Sequence, residues 1–522
     1  MTRQDLLASL SSPAAYDLAV VGGGATGLGV ALDAALRGFS VALFEAHDFA
    51  SGTSSRSTKL LHGGVRYLAQ GNVSLVREAL AERATVLRLA PHLAQPLAFV
   101  MPAYACWQVG FYGAGLALYD AMAGRAGLGR TRWLSPAQTA AALPGVRTEG
   151  LRGGIRYWDG QFDDARLALA LARTAAAGAR VFNHLPVRSL HRAGRGADAG
   201  WVLQVQDGLG GQCYEVRARC VVNAAGVWVD GVRALAASKR PPSRLVSPSQ
   251  GVHVVVERAF LAGDSALLVP RTRDGRVLFA VPWLGKLVLG TTDTPREDLP
   301  REPRPFAEEL DFILREAGQV LARPVTPADI RSVWVGLRPL VAAGGASAPT
   351  RSLSREHTVV VDEGGLITVT GGKWTTYRAM AEDVLEHCFE AGALPRRGPA
   401  ATSGHRLIGA PSPGQPVVPL HAPPGPHLYG TEAAAVDALP GAGRALGMGL
   451  TEAMVRHAAR AEYACTVEDV LARRWRSLFL DARQAEEMAP VVAGILADEG
   501  LRHVELESFL ALCRQYRGES GG

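Results

Sequence analysis

Neither paired cysteines nor blocks of like charge occur in this sequence, and each absence narrows what it does. Six cysteines (Cys106, Cys213, Cys220, Cys388, Cys465 and Cys513) are spread over 522 residues without a C-x-x-C pair. That spacing argues against a disulfide framework or a thiolate zinc site and fits reduced thiols in a cytoplasmic protein; no metal site is expected. The net charge is +6, yet no run of five Lys or Arg occurs and the aromatics do not interleave with basic residues. A nucleic-acid groove is therefore the weakest use of that charge, behind anionic lipid and an anionic substrate. The opening MTRQDLLASLSSPAAYDLAVVGGG lacks the basic–apolar–small order of a signal peptide.

The longest charge-free stretch, LAFVMPAYACWQVGFYGAGLALY (97–119), has the length of a membrane span. Pro102, Gln108 and three glycines interrupt it. We read it as a buried strand followed by a small-residue helix, with contact at a membrane surface as the alternative.

Glycine, by contrast, is abundant at 59 residues with no three-residue period. Its sharpest use is Gly22-x-Gly24-x-x-Gly27. A random arrangement of this composition gives roughly 0.7 such matches, so context must carry the argument. The apolar run Tyr16–Val21 predicts a buried strand. A helical pattern follows to Arg37, with Gly38 at the C-terminal cap position, and SVALF (40–44) predicts a second strand ending at Glu45. The offset 45 − 22 = 23 places an acid where a ribose-binding carboxylate belongs. Glycines let the backbone close on a pyrophosphate, and the helix N-terminus offers it N–H groups and a positive dipole end. Gly22, Gly24, Ala25, Thr26, Gly27 and Glu45 are the first nucleotide-site candidates.

Immediately after comes AHDFASGTSSRSTKLLHGGVRYL (46–68), a dense set of hydroxyls with Lys59, His62 and two glycines. Such a loop can reach along a pyrophosphate and lay N–H groups against a flat ring. Further strands are expected at Gly200–Gln206, Cys220–Asn223, Gly251–Glu257, Val277–Pro282, Leu287–Leu289, Thr358–Val361 and Leu366–Val369. Helices are expected at Ser74–Leu89, Asp164–Ala177, Phe306–Leu321 and Thr375–Cys388. Residues 395–428 are rich in Pro and Gly and read as a linker or a long surface loop; the remainder has a helical pattern.

The run TSSRSTKLLHGGVRYL (53–68) resembles the FAD-dependent glycerol-3-phosphate dehydrogenase family. The resemblance continues in order through YWDGQFDDARL (157–167), VVNAAGVWVD (221–230), QGVHVVV (250–256), LGTTDT (289–294), VWVGLRPL (333–340), LSREHTV (353–359) and GGKWTTYRAMAED (371–383). It extends more loosely through AEYACTVEDVLARRWRSLFLD (461–481). It implies an α/β fold: a Rossmann-like FAD-binding domain, an antiparallel-sheet substrate domain of the D-amino-acid-oxidase kind, and a C-terminal α-helical domain. The implied boundaries are 16–390 for the oxidoreductase body, 391–429 for the linker and 430–522 for the helical domain. Within the body, FAD binding falls to about 16–90, 165–245 and 355–390, and substrate binding to about 91–164 and 246–354.

The resemblance also implies FAD contacts from Thr53, Ser54, Ser55, Ser57, Lys59, His62, Gly63, Gly64, Val187, Asn223, Ala224, Gly226, Gly372, Lys373, Trp374 and Thr375. It assigns the grip on a substrate phosphate to Arg66, Arg338, Arg355 and Lys373, with Tyr67 positioning the substrate. His253 is the candidate for removing the hydroxyl proton, because neutral imidazole is a base near neutral pH; Arg338 is the alternative, polarising the reacting oxygen.

The implied reaction is oxidation of sn-glycerol 3-phosphate to dihydroxyacetone phosphate by hydride transfer to flavin N5. Electrons then pass to a membrane quinone, from a homodimer peripheral on the cytoplasmic face. Open alternatives are an oxygen-using glycerol-3-phosphate oxidase, an amino-acid or hydroxy-acid oxidase on the same scaffold, and a redox-silent FAD-binding protein. Three departures stand out from the family pattern: Ala69 replaces a common acid, Trp374 an aliphatic residue, and 97–119 lacks an arginine often found there.

Overall fold

A computed structural model describes residues 2–64, 72–194, 200–236, 243–273, 275–342 and 357–519. Two large sheets organise it. In the first, Tyr16–Val21 lies at the centre. Val41–Phe44 and Ala179–Phe182 follow on one side, Cys213–Asn223 and Ile367–Thr370 on the other, all parallel. From Leu18 to Val21 the central strand is an unbroken apolar run because both its faces are covered there. Leu18 and Val20 point into a core with helices Ala25–Leu36, Asp164–Ala175 and Tyr377–Glu390, whereas Ala19 and Val21 join Val205, Val216 and the N-terminal Leu6 and Leu10. The sequence did not announce that N-terminal helix, Arg3–Ala8, whose Thr2–Asp5 capping box compensates for its short length. Gly38 closes helix Ala25–Leu36 with a φ of 80°, the left-handed cap its position predicted.

The second sheet is almost wholly antiparallel. Val246–Glu257 pairs with both Lys286–Gly290 and Ser332–Val341, and the sheet runs on through Leu278–Trp283, Ala266–Val269, Ala94–Ala103 and Gly153–Phe162. Along its longest strand, Val252, Val254 and Val256 face helix Ala307–Val320, so Gly251, His253 and Val255 point the other way. The charge-free stretch is strand Ala94–Ala103 followed by helix Cys106–Ala123, as its interruptions suggested.

Helices Glu452–Ala461, Ala482–Asp498 and Leu506–Tyr516 share a core with Trp283 and Trp334 of the second sheet. The Pro/Gly-rich segment before them is more firmly laid down than a linker. It carries no helix or strand from 391 to 425, but Leu394, Leu407 and Leu420 are buried. Gln95 donates to the Val418 carbonyl at 2.8 Å and accepts from the Leu420 N–H at 3.1 Å, and the Leu284 N–H donates to the Leu420 carbonyl at 2.8 Å.

Candidate active site

A cavity of about 1310 Å³ lies between the two sheets. That exceeds the ~300–1,000 Å³ of ordinary small-molecule pockets and suits a dinucleotide together with a substrate. One end is built by the first βαβ unit. Gly22 has φ 113°, and a Cβ on Gly27 would stand 2.0 Å from the Gly22 carbonyl oxygen, so helix and turn meet at a distance only glycine permits. Glu45 accepts from the Gly23 N–H at 2.7 Å and the His47 N–H at 2.9 Å. Burial raises its pKa against those two hydrogen bonds. Gly24 begins helix Ala25–Leu36 without a side-chain cap, and Ser54 Oγ accepts from the Ala25 N–H at 3.0 Å.

Of the expected cofactor residues, Gly22, Gly24, Ala25, Thr26, Glu45, Thr53, Ser54, Ser57, His62, Gly64, Val187, Ala224, Gly226, Gly372, Lys373, Trp374 and Thr375 line the cavity. Five do not, and each has a reason. Gly27 is the floor beneath Gly22. The Gly63 N–H donates to the Tyr119 hydroxyl at 2.9 Å. Asn223 is buried and donates to the Val229 carbonyl at 2.9 Å, bracing the turn that follows its strand. The Ser55 carbonyl accepts from Lys59 Nζ at 2.7 Å.

Lys59 is the clearest correction. It is fully buried, its ammonium binds both Asp164 oxygens at 2.8 and 3.0 Å, and the rings of Trp334, Trp283 and Phe479 lie 4.5–5.4 Å away. Burial pulls its pKa down to about 7 against the pull of Asp164. Its charge stiffens the wall from behind and does not face the cavity.

The residues expected to act on the substrate lie elsewhere on the wall. His253 and Arg338 both line the cavity, and Lys373 joins them from the loop before helix Tyr377–Glu390. Arg66 and Tyr67 (65–71) and Arg355 (343–356) lie outside the described residues. His253 is 2% exposed and stacks on Trp334 at 4.1 Å, its register partner on the neighbouring strand. Its Nε2 sits 2.9 Å from Thr58 Oγ1, while Nδ1 has no partner among the described residues. Burial first, then the charges of Lys59 and Arg338, hold its pKa well below the ordinary 6.5, so the imidazole is neutral at physiological pH.

The Arg338 guanidinium is held by the Thr292 and Gln250 carbonyls (2.9 and 3.0 Å), Thr291 Oγ1 (3.2 Å), Ser249 Oγ (3.3 Å) and the Asp293 carboxylate (3.3 Å). A Cβ on Gly251 would stand 2.2 Å from its Nη2, so the glycine of QGVHVVV makes room for the cation. Thr58, Thr291, Asp293 and Gly251 were missed as individual residues. Their signal was present only as membership of the matching runs.

His184, Cys465 and Asp469 bring three ligand-type atoms within 4.8 Å of one another, outside the cavity. Asp469 is already engaged by His184 at 2.9 Å, by the Cys465 and Thr466 N–H groups and by Arg473, whose guanidinium repels a cation. Burial pushes the Cys465 thiol up to about 12, far from the thiolate a metal needs. This is an ion-pair node.

A model of the FAD-dependent oxidoreductase family matches residues 17–378, and one of the C-terminal domain of alpha-glycerophosphate oxidase matches 427–501. The chain thus belongs to the FAD-dependent oxidoreductases, and FAD is the cofactor its glycine turn and three converging loops fit. It is 40% identical over 537 residues to human mitochondrial glycerol-3-phosphate dehydrogenase, covering 95% of this chain and 72% of that one. A probable mitochondrial glycerol-3-phosphate dehydrogenase of Caenorhabditis elegans is 39% identical at the same coverage. The crystal structure of the glycerol-3-phosphate dehydrogenase from Bacillus halodurans with FAD superposes with a TM-score of 0.78 at 27% identity, covering 100% of this chain and 98% of that one. Within the oxidoreductases, the chain is a member of the FAD-dependent glycerol-3-phosphate dehydrogenase family.

Proposed function

We propose that this protein oxidises sn-glycerol 3-phosphate to dihydroxyacetone phosphate and passes the electrons to a membrane quinone. The observation that carries the chemistry is a buried imidazole and a guanidinium fixed by five acceptors on the wall of one large cavity. FAD, when bound, supplies a two-electron acceptor at ring N5. His253, which lines the cavity, accepts the hydroxyl proton as the carbon gives up its hydride. Thr58, on the cavity wall, holds Nε2, and the Trp334 ring fixes the imidazole plane. Arg338 and Lys373 supply positive charge for the substrate anion, joined in this reading by Arg66, Tyr67 and Arg355. Binding the phosphate by charge-assisted hydrogen bonds fixes the reacting carbon. We also propose that the strands within 16–44, 179–223 and 358–370 carry the nucleotide, and those within 91–164 and 246–341 the substrate.

Anaerobic addition of sn-glycerol 3-phosphate should bleach the flavin band near ~450 nm, while glycerol at equal concentration leaves it unchanged. A quinone analogue should then restore the band faster than oxygen does. A flavin that answers only to amino or hydroxy acids overturns the substrate; one restored only by oxygen overturns the acceptor.

For the acceptor, no helix among the described residues is long and apolar enough to cross a membrane. Helix Cys106–Ala123 nevertheless carries no charge before Asp120 and exposes Trp107 (63%) and Phe111 (69%). Phe111, Tyr112 and Leu116 of the same helix line the cavity, and Arg125, Arg130 and Arg132 are exposed just beyond it. We infer that this helix lies on the lipid surface, its rings in the interface and the arginines on anionic headgroups, with the cavity opening toward the quinone. The protein should pellet with vesicles rich in anionic lipid and be released by salt. Trp107→Ser, on the exposed face and off the cavity wall, should reduce pelleting and quinone turnover without altering anaerobic bleaching; equal pelleting of the variant sinks the assignment.

A further inference from the structure

Among the described residues, none that lines the cavity comes from beyond Thr375, yet three separate polar threads run from the C-terminal helices to its walls. The first reaches the loop after Glu45. Asp48 is fully buried and accepts from Arg473 and from Arg474, whose Nη2 lies 2.9 Å from Oδ1. Arg473 continues to Glu468 at 2.6 Å, and Glu468 takes Arg301, itself a cavity-lining residue, at 2.9 Å. The second thread is Arg476, with 0% exposure. Its Nη2 donates to the Ser55 carbonyl at 2.8 Å and to Asp164 at 3.2 Å, the same two acceptors that hold Lys59. In the third, the Tyr516 hydroxyl donates to Glu302 at 3.2 Å, and Glu302 holds the buried, cavity-lining Arg56.

We propose that the C-terminal helical segment is a working part of the FAD site: Arg473, Arg474, Arg476 and Tyr516 are positioning residues that set the loop 46–58 against the cofactor. The inference rests on FAD occupying the cavity and is independent of the substrate. The physical reason is desolvation. A backbone turn walling a polar cofactor cannot be set by apolar packing alone, because its inward carbonyls and carboxylates need donors. Here the donors are guanidiniums that bridge several acceptors at once; Arg476 reaches both Ser55 and Asp164 through Nη2 while Nη1 holds the Ala472 carbonyl, so one arginine fixes the spacing between the Ser55 turn and helix Asp164–Ala175. Ser54, Ser57 and Thr58, which line the cavity, sit on either side of the clamped carbonyl. Asp164 also accepts from Ser57 Oγ at 2.7 Å, so displacement of Arg476 is felt by a cavity wall residue through one shared carboxylate.

Coupling of this kind is reciprocal: if the tail favours FAD, FAD must favour the docked tail. Hydrogen exchange on apo- and FAD-loaded wild-type protein reads this without substrate. Loading should slow exchange of amides in 462–480, although none of them touches the cavity. Arg476→Met should weaken FAD, titrated by flavin fluorescence, by about tenfold or more, with Arg476→Lys intermediate because it keeps the charge and loses the second nitrogen that anchors the group on Ala472. Arg456→Gln is the control. It breaks pairs with Glu452 and Glu499 inside the tail and should change FAD affinity by less than about twofold. If FAD leaves exchange in 462–480 unchanged, or if Arg476→Met and Arg456→Gln weaken FAD alike, the tail is only a neighbour and the proposal falls. Should Arg476→Met fail to fold, the wild-type exchange experiment and Arg476→Lys still decide. A failure with glycerol 3-phosphate alone would overturn the substrate and leave this proposal standing.

Discussion

His253→Asn is expected to lower kcat by roughly 10²- to 10⁴-fold, the usual worth of a positioned general base, with FAD content and the flavin spectrum unchanged. Asparagine keeps a polar contact for Thr58 and fits the stack on Trp334, so the wall stands while the base is gone. The effect should fall on kcat more than KM, because the imidazole acts on a proton that moves only as the hydride leaves.

The pH dependence has a definite sign. The folded His253 has its pKa depressed by burial, Lys59 and Arg338, so it stays neutral down to well below 6.5. Its contribution to the rate is thus flat above pH 6.5 and lost only in the acid limb. Its contribution to stability follows the same order. Below pH 6.5 the unfolded chain binds a proton that the folded one refuses, so stability falls as pH drops from 6.5 toward the folded pKa, and is unaffected above. A wild-type kcat profile that instead loses activity between pH 7 and 6, with the loss absent in His253→Asn, would mean that the imidazole titrates normally and is open to water.

What the sequence revealed follows from the range of the interactions. The βαβ unit from Tyr16 to Glu45 was readable because every cause is local: an apolar run, glycines within six residues, a cap at Gly38. Lys59 was misplaced for the opposite reason. Its surroundings in the chain are hydroxyls and a Gly-Gly pair, which suggest a cofactor loop, but its partner Asp164 lies 105 residues on and its aromatic cage comes from Trp283, Trp334 and Phe479. Nothing local in the run ARRWRS (472–477) marks its arginines as buried; Arg473, Arg474 and Arg476 are so because acids more than 300 residues earlier meet them. The segment 395–428 was read as a linker from its Pro and Gly content. Composition foretold the lack of regular structure, while the burial of Leu407 and Leu420 depends on surfaces that exist only after the two sheets have formed. The same holds for Gly251, whose need to be glycine is visible only once Arg338 lies across it.

Arg338→Met should lower kcat/KM for glycerol 3-phosphate by about 10²-fold or more, near the 3 kcal/mol that losing a paired, partly buried charge costs. Two causes contribute, and they separate. One is structural: without the guanidinium, Asp293 keeps Ser249 but loses the Arg338 contact, and the Gln250 and Thr292 carbonyls lose a donor. The other is functional: the cavity loses a cation fixed in place before the substrate arrives, which costs no reorganisation during the reaction. Removing the carboxylate as well distinguishes them. In Arg338→Met with Asp293→Asn the carboxylate that faced the guanidinium is neutral as well, so the melting temperature should recover part of what Arg338→Met alone loses. If the cation serves the substrate, kcat/KM stays as low in the double variant as in the single one. Recovery of activity together with stability would show that Arg338 is only a strut for the loop 291–293, and the anion would then have to be held by Lys373 and the remaining arginines.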